Sequence, residues 1–146
     1  MSTLLFYNFK GGVGKTTISV LAADHFSRAG KKVLLVDLDA QASATLFFEN
    51  SYGTISPTRS LFNSLQKESL RPSICHLDNN LDLIPGDWDM SLWNQALEKL
   101  PQRDRNLVLK HFLEPLQKDY DYIILDVAPT LSTLVNNAVL ASDYII

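Results

Sequence analysis

Residues Lys10-Gly11-Gly12-Val13-Gly14-Lys15-Thr16-Thr17 follow directly on the apolar run Leu4-Leu5-Phe6-Tyr7. This is a phosphate-binding pattern set between an expected strand and an expected helix. The general form is a glycine-rich loop ending in Gly-Lys-Ser/Thr. Gly14-Lys15-Thr16 supply that ending, and Phe9 stands where the strict form has its first glycine. Gly11 and Gly12 lie inside the loop, where the lack of a Cβ lets backbone N–H groups turn around phosphate oxygens. Gly14 allows close approach to the β-phosphate. Lys15 opens a helix whose positive end favours an anion. Its ammonium is expected on the β- and γ-phosphates, the Thr16 hydroxyl on Mg²⁺ and Thr17 on the α-phosphate. Val13 completes the loop.

Working outward, the spacing predicts a helix over 15–29 with Ile18, Leu21, Ala22 and Phe26 inward, closed by Gly30. Lys32–Asp37 reads as a second strand, too continuously apolar to have one wet face. A loop and short helix follow over 39–48, and another short helix over 58–67. Short strands are expected over 73–77 and 81–84, and Pro85-Gly86 breaks the chain. Helices are expected over 89–100 and 103–118. Trp93, Ala96, Leu97 and Leu100 line the first; Leu109, Phe112, Leu113 and Leu116 line the second, which Pro115 kinks or ends. Tyr122–Asp126 is a further buried strand. The last helix, 130–141, should turn Leu131, Leu134, Val135 and Ala138 inward. Asp143–Ile146 begins another strand. Short apolar strands alternating with helices predict a parallel α/β sheet flanked by helices. The abrupt end within a strand suggests that residues 1–146 are the N-terminal part of a longer single domain.

Asp37, Asp39 and Asp126 stand at or just beyond strand ends, which in a parallel sheet converge beside the phosphate loop. Asp126, after Tyr-Ile-Ile-Leu, has the form of a Walker B aspartate and is expected to hold Mg²⁺, with Asp37 sharing the outer shell. Asp39, two residues past its strand, is placed to orient a water in line with the γ-phosphate.

The chain has 146 residues, 46% hydrophobic and 20% charged, with net charge −3. That fits an ordinary globular domain with no global attraction to nucleic acid or acidic membranes. The single Cys75 allows no internal disulfide and no multi-cysteine metal site. The N-terminus enters a strand without a basic leader, and no apolar run nears the ~20 residues of a spanning helix. A cytoplasmic setting is expected. His25 is read as a core or boundary residue, and Cys75-His76 as unconnected with metal. Trp88 and Trp93 are read as packing residues. Arg103, Arg105 and Lys110 are read as a solvated basic strip rather than a nucleic-acid site.

Three segments together, Phe9–Thr17, Val33–Thr45 and Asp121–Thr130, resemble the ParA/MinD family of deviant Walker A ATPases, and ParA-type partition proteins in particular. The resemblance implies that ATP and Mg²⁺ are the ligands. It makes Lys10 the signature lysine that reaches the partner subunit's phosphates in an ATP-bound homodimer. Asp39 becomes the catalytic aspartate, 39–45 switch I and 126–130 switch II. It also implies a ParB-like partner that stimulates hydrolysis, and nonspecific DNA binding through segments beyond this chain. Ala40 and Ala128 replace prolines of the family pattern. Other branches imply other expectations. A MinD-like membrane-cycling ATPase would need a C-terminal amphipathic helix. A reductase like the nitrogenase iron protein would need two cluster cysteines per subunit. A truncated chain that binds nucleotide without efficient hydrolysis is a further reading.

Overall fold

The computed structural model describes residues 1–12 and 14–146, so the expectation for Val13 lies outside the described residues. The strands are β1 (Ser2–Leu5), β2 (Val33–Asp37), β3 (Cys75–Asp78), β4 (Leu81–Ile84), β5 (Tyr122–Asp126) and β6 (Tyr144–Ile145). They form one sheet in the order β3-β4-β2-β5-β1-β6. All pairings are parallel except β3 with β4. The α-helices are α1 (Lys15–Arg28), α2 (Ser43–Tyr52), α3 (Leu61–Ser64), α4 (Trp93–Glu98), α5 (Val108–Leu113) and α6 (Thr133–Ala141).

Alternation along the buried strands sends side chains to opposite faces and divides the core in two. Leu4, Val33, Leu35, Leu81, Leu83 and Ile124 pack beneath Val20 and Ala23 of α1 and Ala44 and Phe48 of α2. Leu5, Leu34, Val36, Ile84, Ile123 and Leu125 pack against α3 to α6 on the other face. Helices thus cover both faces of a mostly parallel sheet, as the alternation of elements predicts.

Several helices differ from their sequence pattern. In α1 the buried residues are Lys15, Ser19, Val20 and Ala23, while Ile18 and Leu21 are exposed. The helix is rotated because Lys15 and Thr16 face the strand ends and Ser19 bonds a strand carboxylate. His25, one turn further on, is exposed rather than buried. Only 108–113 of the expected 103–118 helix is α-helical. Residues 101–107 instead form turns, and the Arg105 guanidinium donates to the carbonyls of Glu98 and Leu100, closing the end of α4. Fully buried Asn137 accepts from Leu109 N and donates to Arg105 O, which sets where α5 begins. Pro115 follows the end of α5 within a 3₁₀ segment, Glu114–Asp119. Arg103, Arg105 and Lys110 therefore do not share a helix face.

α6 begins at Thr133, capped by the Ser132 hydroxyl, so Leu131 precedes it and is 79% exposed rather than inward. Leu134, Val135 and Ala138 are buried as expected. Trp93 is buried, whereas Trp88 is 70% exposed and does not pack the core. Leu100 lies partly exposed beyond the end of α4.

Candidate active site at the carboxyl ends of the strands

Parallel pairing in register places Asp37 of β2 directly opposite Asp126 of β5. β1 lies on the far side of β5, with Leu5 opposite Leu125, and its continuation becomes the glycine loop. The topology thus delivers the loop and both aspartates to one edge. Neighbouring strands are about 4.8 Å apart, so the acidic groups and the loop are neighbours by construction.

The loop is shaped for this place. Gly12 and Gly14 have φ of 72° and 88°, left-handed values that a side chain would strain. Gly14 is the N-cap of α1, so the chain turns from loop to helix within one residue. Lys15 is buried and its Nζ donates to Lys10 O at 3.2 Å, folding the side chain back over the loop. The Lys10 side chain is exposed, and its backbone N donates to Asn8 Oδ1 at 2.9 Å.

The Thr16 hydroxyl donates to Asp126 Oδ2 at 2.8 Å, and the Ser19 hydroxyl donates to Asp126 Oδ1 at 3.0 Å. Ser19 lies one turn after Lys15 and Thr16, a spacing that puts the three on one side of α1. That spacing was the available signal for Ser19, which the motif alone does not include. Burial pushes the Asp126 carboxyl up from its ordinary value. The Asp39 charge adds to this, while the Thr16 and Ser19 bonds and the Lys15 charge oppose it.

Asp37 faces another way. Its Oδ2 accepts from Thr45 N at 2.9 Å and Thr45 Oγ1 at 2.7 Å, and its Oδ1 accepts from Asp39 N at 3.1 Å. The carboxylate therefore grips the start of α2 and the Asp39 loop. Burial is the first cause pushing its carboxyl up to about 7, and nearby Asp126 adds to the effect.

Asp39 Oδ1 accepts from Gln41 N at 2.9 Å, and Asp39 O accepts from Ala42 N at 2.9 Å. Asp39 lines an open cleft of about 520 Å³ together with Gly12, Gly14, Lys15, Thr16 and Thr17. Phe47, Val127 and Pro129 are apolar parts of its lining. Lysine, threonine hydroxyls and glycine backbone beside aspartates are a donor set suited to phosphate with a hard divalent cation. Thr16 and Asp126 are the pair in contact that could hold the cation. Asp37 is adjacent to them but engaged by Thr45 and Asp39. The exposed Lys10 is not drawn into the cleft by any described contact.

Elsewhere, among the described residues, no group of three or more His, Cys, Asp or Glu side chains could hold a metal ion. Cys75 is free, and His76 Nδ1 is instead 2.6 Å from Asp82 Oδ1.

Residues 1–146 match the family model described as AAA domain over their whole length. The sporulation initiation inhibitor protein Soj of Bacillus subtilis is 35% identical over 147 residues. The chain belongs to the ParA/MinD family of P-loop ATPases. The Soj alignment covers 95% of this chain and 54% of that protein. A plasmid partition protein of Borrelia burgdorferi, solved bound to AMPPNP, superposes with a TM-score of 0.84 at 34% identity, covering 99% of this chain and 59% of that one. Cobyrinic acid a,c-diamide synthase of Mycobacterium smegmatis, solved with ADP and magnesium, superposes with a TM-score of 0.84 at 30% identity, covering 99% and 58%. The chain spans about half the length of the curated relatives it matches. No described helix is long and apolar enough to cross a membrane.

Proposed function

We propose that this chain carries the catalytic half of a ParA-type ATPase in which Mg²⁺-ATP switches a homodimer that positions DNA. The observation that carries the reading is the 2.8 Å contact between the Thr16 hydroxyl and Asp126, set at the mouth of the glycine loop. A threonine directly after the loop lysine, bonded to an aspartate ending a neighbouring strand, is a pair that would hold a divalent cation beside the bound phosphates. Bound there, Mg²⁺ would supply Lewis-acid stabilisation of the charge on those oxygens.

The chain's own groups supply the rest. The backbone around Gly11, Gly12 and Gly14 cradles the phosphates, with Thr17 on the α-phosphate. Lys15 swings from Lys10 O to the β- and γ-oxygens. Asp39, on the same cleft, accepts a hydrogen bond from water and orients it toward the γ-phosphorus. Asp37 braces the Asp39 loop and would stand in the outer shell of a bound cation. Lys10, exposed at the front of the loop, reaches the phosphates bound by the second copy. A charge supplied in this manner elsewhere in phosphoryl transfer accelerates the reaction by about 10³–10⁵. The choice of ATP, the ParB-like stimulating partner and the DNA contacts through further segments rest on family membership.

Isothermal titration and phosphate-release assays test this. Lys15→Ala should abolish Mg²⁺-ATP binding. Asp39→Ala should bind ATP normally and hydrolyse it about 10²-fold more slowly, the order seen when a group acting at the transition state is removed. Wild-type turnover by the Asp39 variant would end the assignment.

A further inference from the structure

The turn after β4 has no part in the phosphate-binding pattern, yet it touches both aspartates of the β2 loop. A Cβ added to Gly86 would lie 2.7 Å from Asp39 O, 2.9 Å from Asp37 Cγ and 3.0 Å from Asp37 Oδ1. All three atoms are held by the fold, since Asp37 is fully buried and Asp39 O accepts from Ala42 N. The constraint is steric, because only a residue without a side chain leaves room for this approach. A polar chain accompanies the contact. Gly86 N donates to Thr45 Oγ1 at 2.9 Å, and Thr45 Oγ1 donates onward to Asp37 Oδ2 at 2.7 Å. Asp37 Oδ1 in turn accepts from Asp39 N. The Asp37 carboxylate is therefore the meeting point, taking the Gly86–Thr45 chain on one oxygen and the Asp39 amide on the other.

We infer that Gly86 and Thr45 are positioning residues for Asp39, making the β4 turn a wall that sets where the Asp39 carboxylate stands in the cleft. This rests on the reading of Asp39 as the residue that orients water. Neither Gly86 nor Thr45 lines the cleft beside the phosphate loop, so both act through Asp37 and Asp39. Displacement of a reacting group by about 1 Å can cost about 10²-fold in rate. A methyl group at Gly86 would force movement of several tenths of an ångström.

Two measurements on the full chain test the inference. Gly86→Ala and Thr45→Val should each lower kcat for ATP hydrolysis by about 10-fold or more, with KM changed by less than about twofold. Thr45→Ser, which keeps the hydroxyl, should recover most of the rate. Amide hydrogen exchange without nucleotide reads the wall directly. Residues 37–46 should lose about 10-fold in protection in Gly86→Ala and Thr45→Val, but not in Thr45→Ser. Wild-type exchange over 37–46 in both variants would overturn the inference, as would unchanged kcat or a parallel loss of exchange protection throughout the sheet. Should Gly86→Ala fail to fold, the Thr45 pair decides the matter. Absence of ATP turnover in the wild-type chain would remove the ATPase reading, and the exchange experiment would still judge the wall.

Discussion

Asp37 is buried with its oxygens occupied by Thr45 and Asp39, and its carboxyl is pushed up to about 7, first by that burial. The folded state therefore binds this proton more tightly than the unfolded chain, whose value is near 3.8. Stability from this group is present in full below pH 4 and is lost as pH rises toward 7, by about 4 kcal/mol in all. Asp126 is shifted in the same direction. Thermal unfolding of the nucleotide-free protein between pH 5 and 8 should thus show Tm falling as pH rises, and Asp37→Asn should flatten the curve. An unchanged slope in that variant would show that Asp37 does not titrate in this range. The identity of these aspartates was legible because each ends an apolar run. The sequence reading set Thr16 with Asp126 at the cation; the hydrogen bonds that fix each carboxylate were not legible. Orientation follows from competition among donors: Thr16 and Ser19 take Asp126, and Thr45 takes Asp37.

Local strain sits at the start of α2. Ala42, its N-cap, has φ 54° and makes no side-chain cap bond. A left-handed alanine costs about 1 kcal/mol, which glycine avoids. Ala42→Gly should therefore raise stability by about 0.5–1 kcal/mol and Tm by about 1–4 °C, as read by calorimetry. A lower Tm would mean that the lost methyl contact outweighs the relieved strain. In α1 the pattern of large apolar residues was misleading for a different reason. Rotation about the helix axis is set at its first turn, where Lys15 and Thr16 must face the strand ends. Ser19, Val20 and Ala23 then fall inward, and Ile18 and Leu21 fall outward. The start of α5 was equally hidden. A buried asparagine, Asn137, 28 residues further along the chain, holds the Leu109 amide at the start of that helix.

At the scale of the molecule, the cleft is open, and apolar side chains stand beside its segments. Phe9, next to Lys10, is 62% exposed, and Phe47, on the cleft, is 45% exposed. A second copy docked over the phosphates would cover them and receive Lys10. Lys10→Ala should then retain ATP binding but lose self-association driven by a non-hydrolysable ATP analogue, measured by sedimentation velocity, together with stimulated hydrolysis. Full hydrolysis by that variant would exclude a lysine acting between subunits. The glycine loop, the apolar strands and their terminal aspartates determined from sequence alone that this is a parallel α/β P-loop domain. Those signals are local, since a phosphate cradle and a buried strand each require particular residues within a few positions. The tertiary structure alone decided that Ser19 joins Thr16 on Asp126, that Thr45 grips Asp37, and that the β4 turn presses on the Asp39 loop. The first and last of these contacts join segments 40 to more than 100 residues apart, and they exist only because the strand order sets those segments side by side, whereas Thr45 reaches Asp37 across only eight residues.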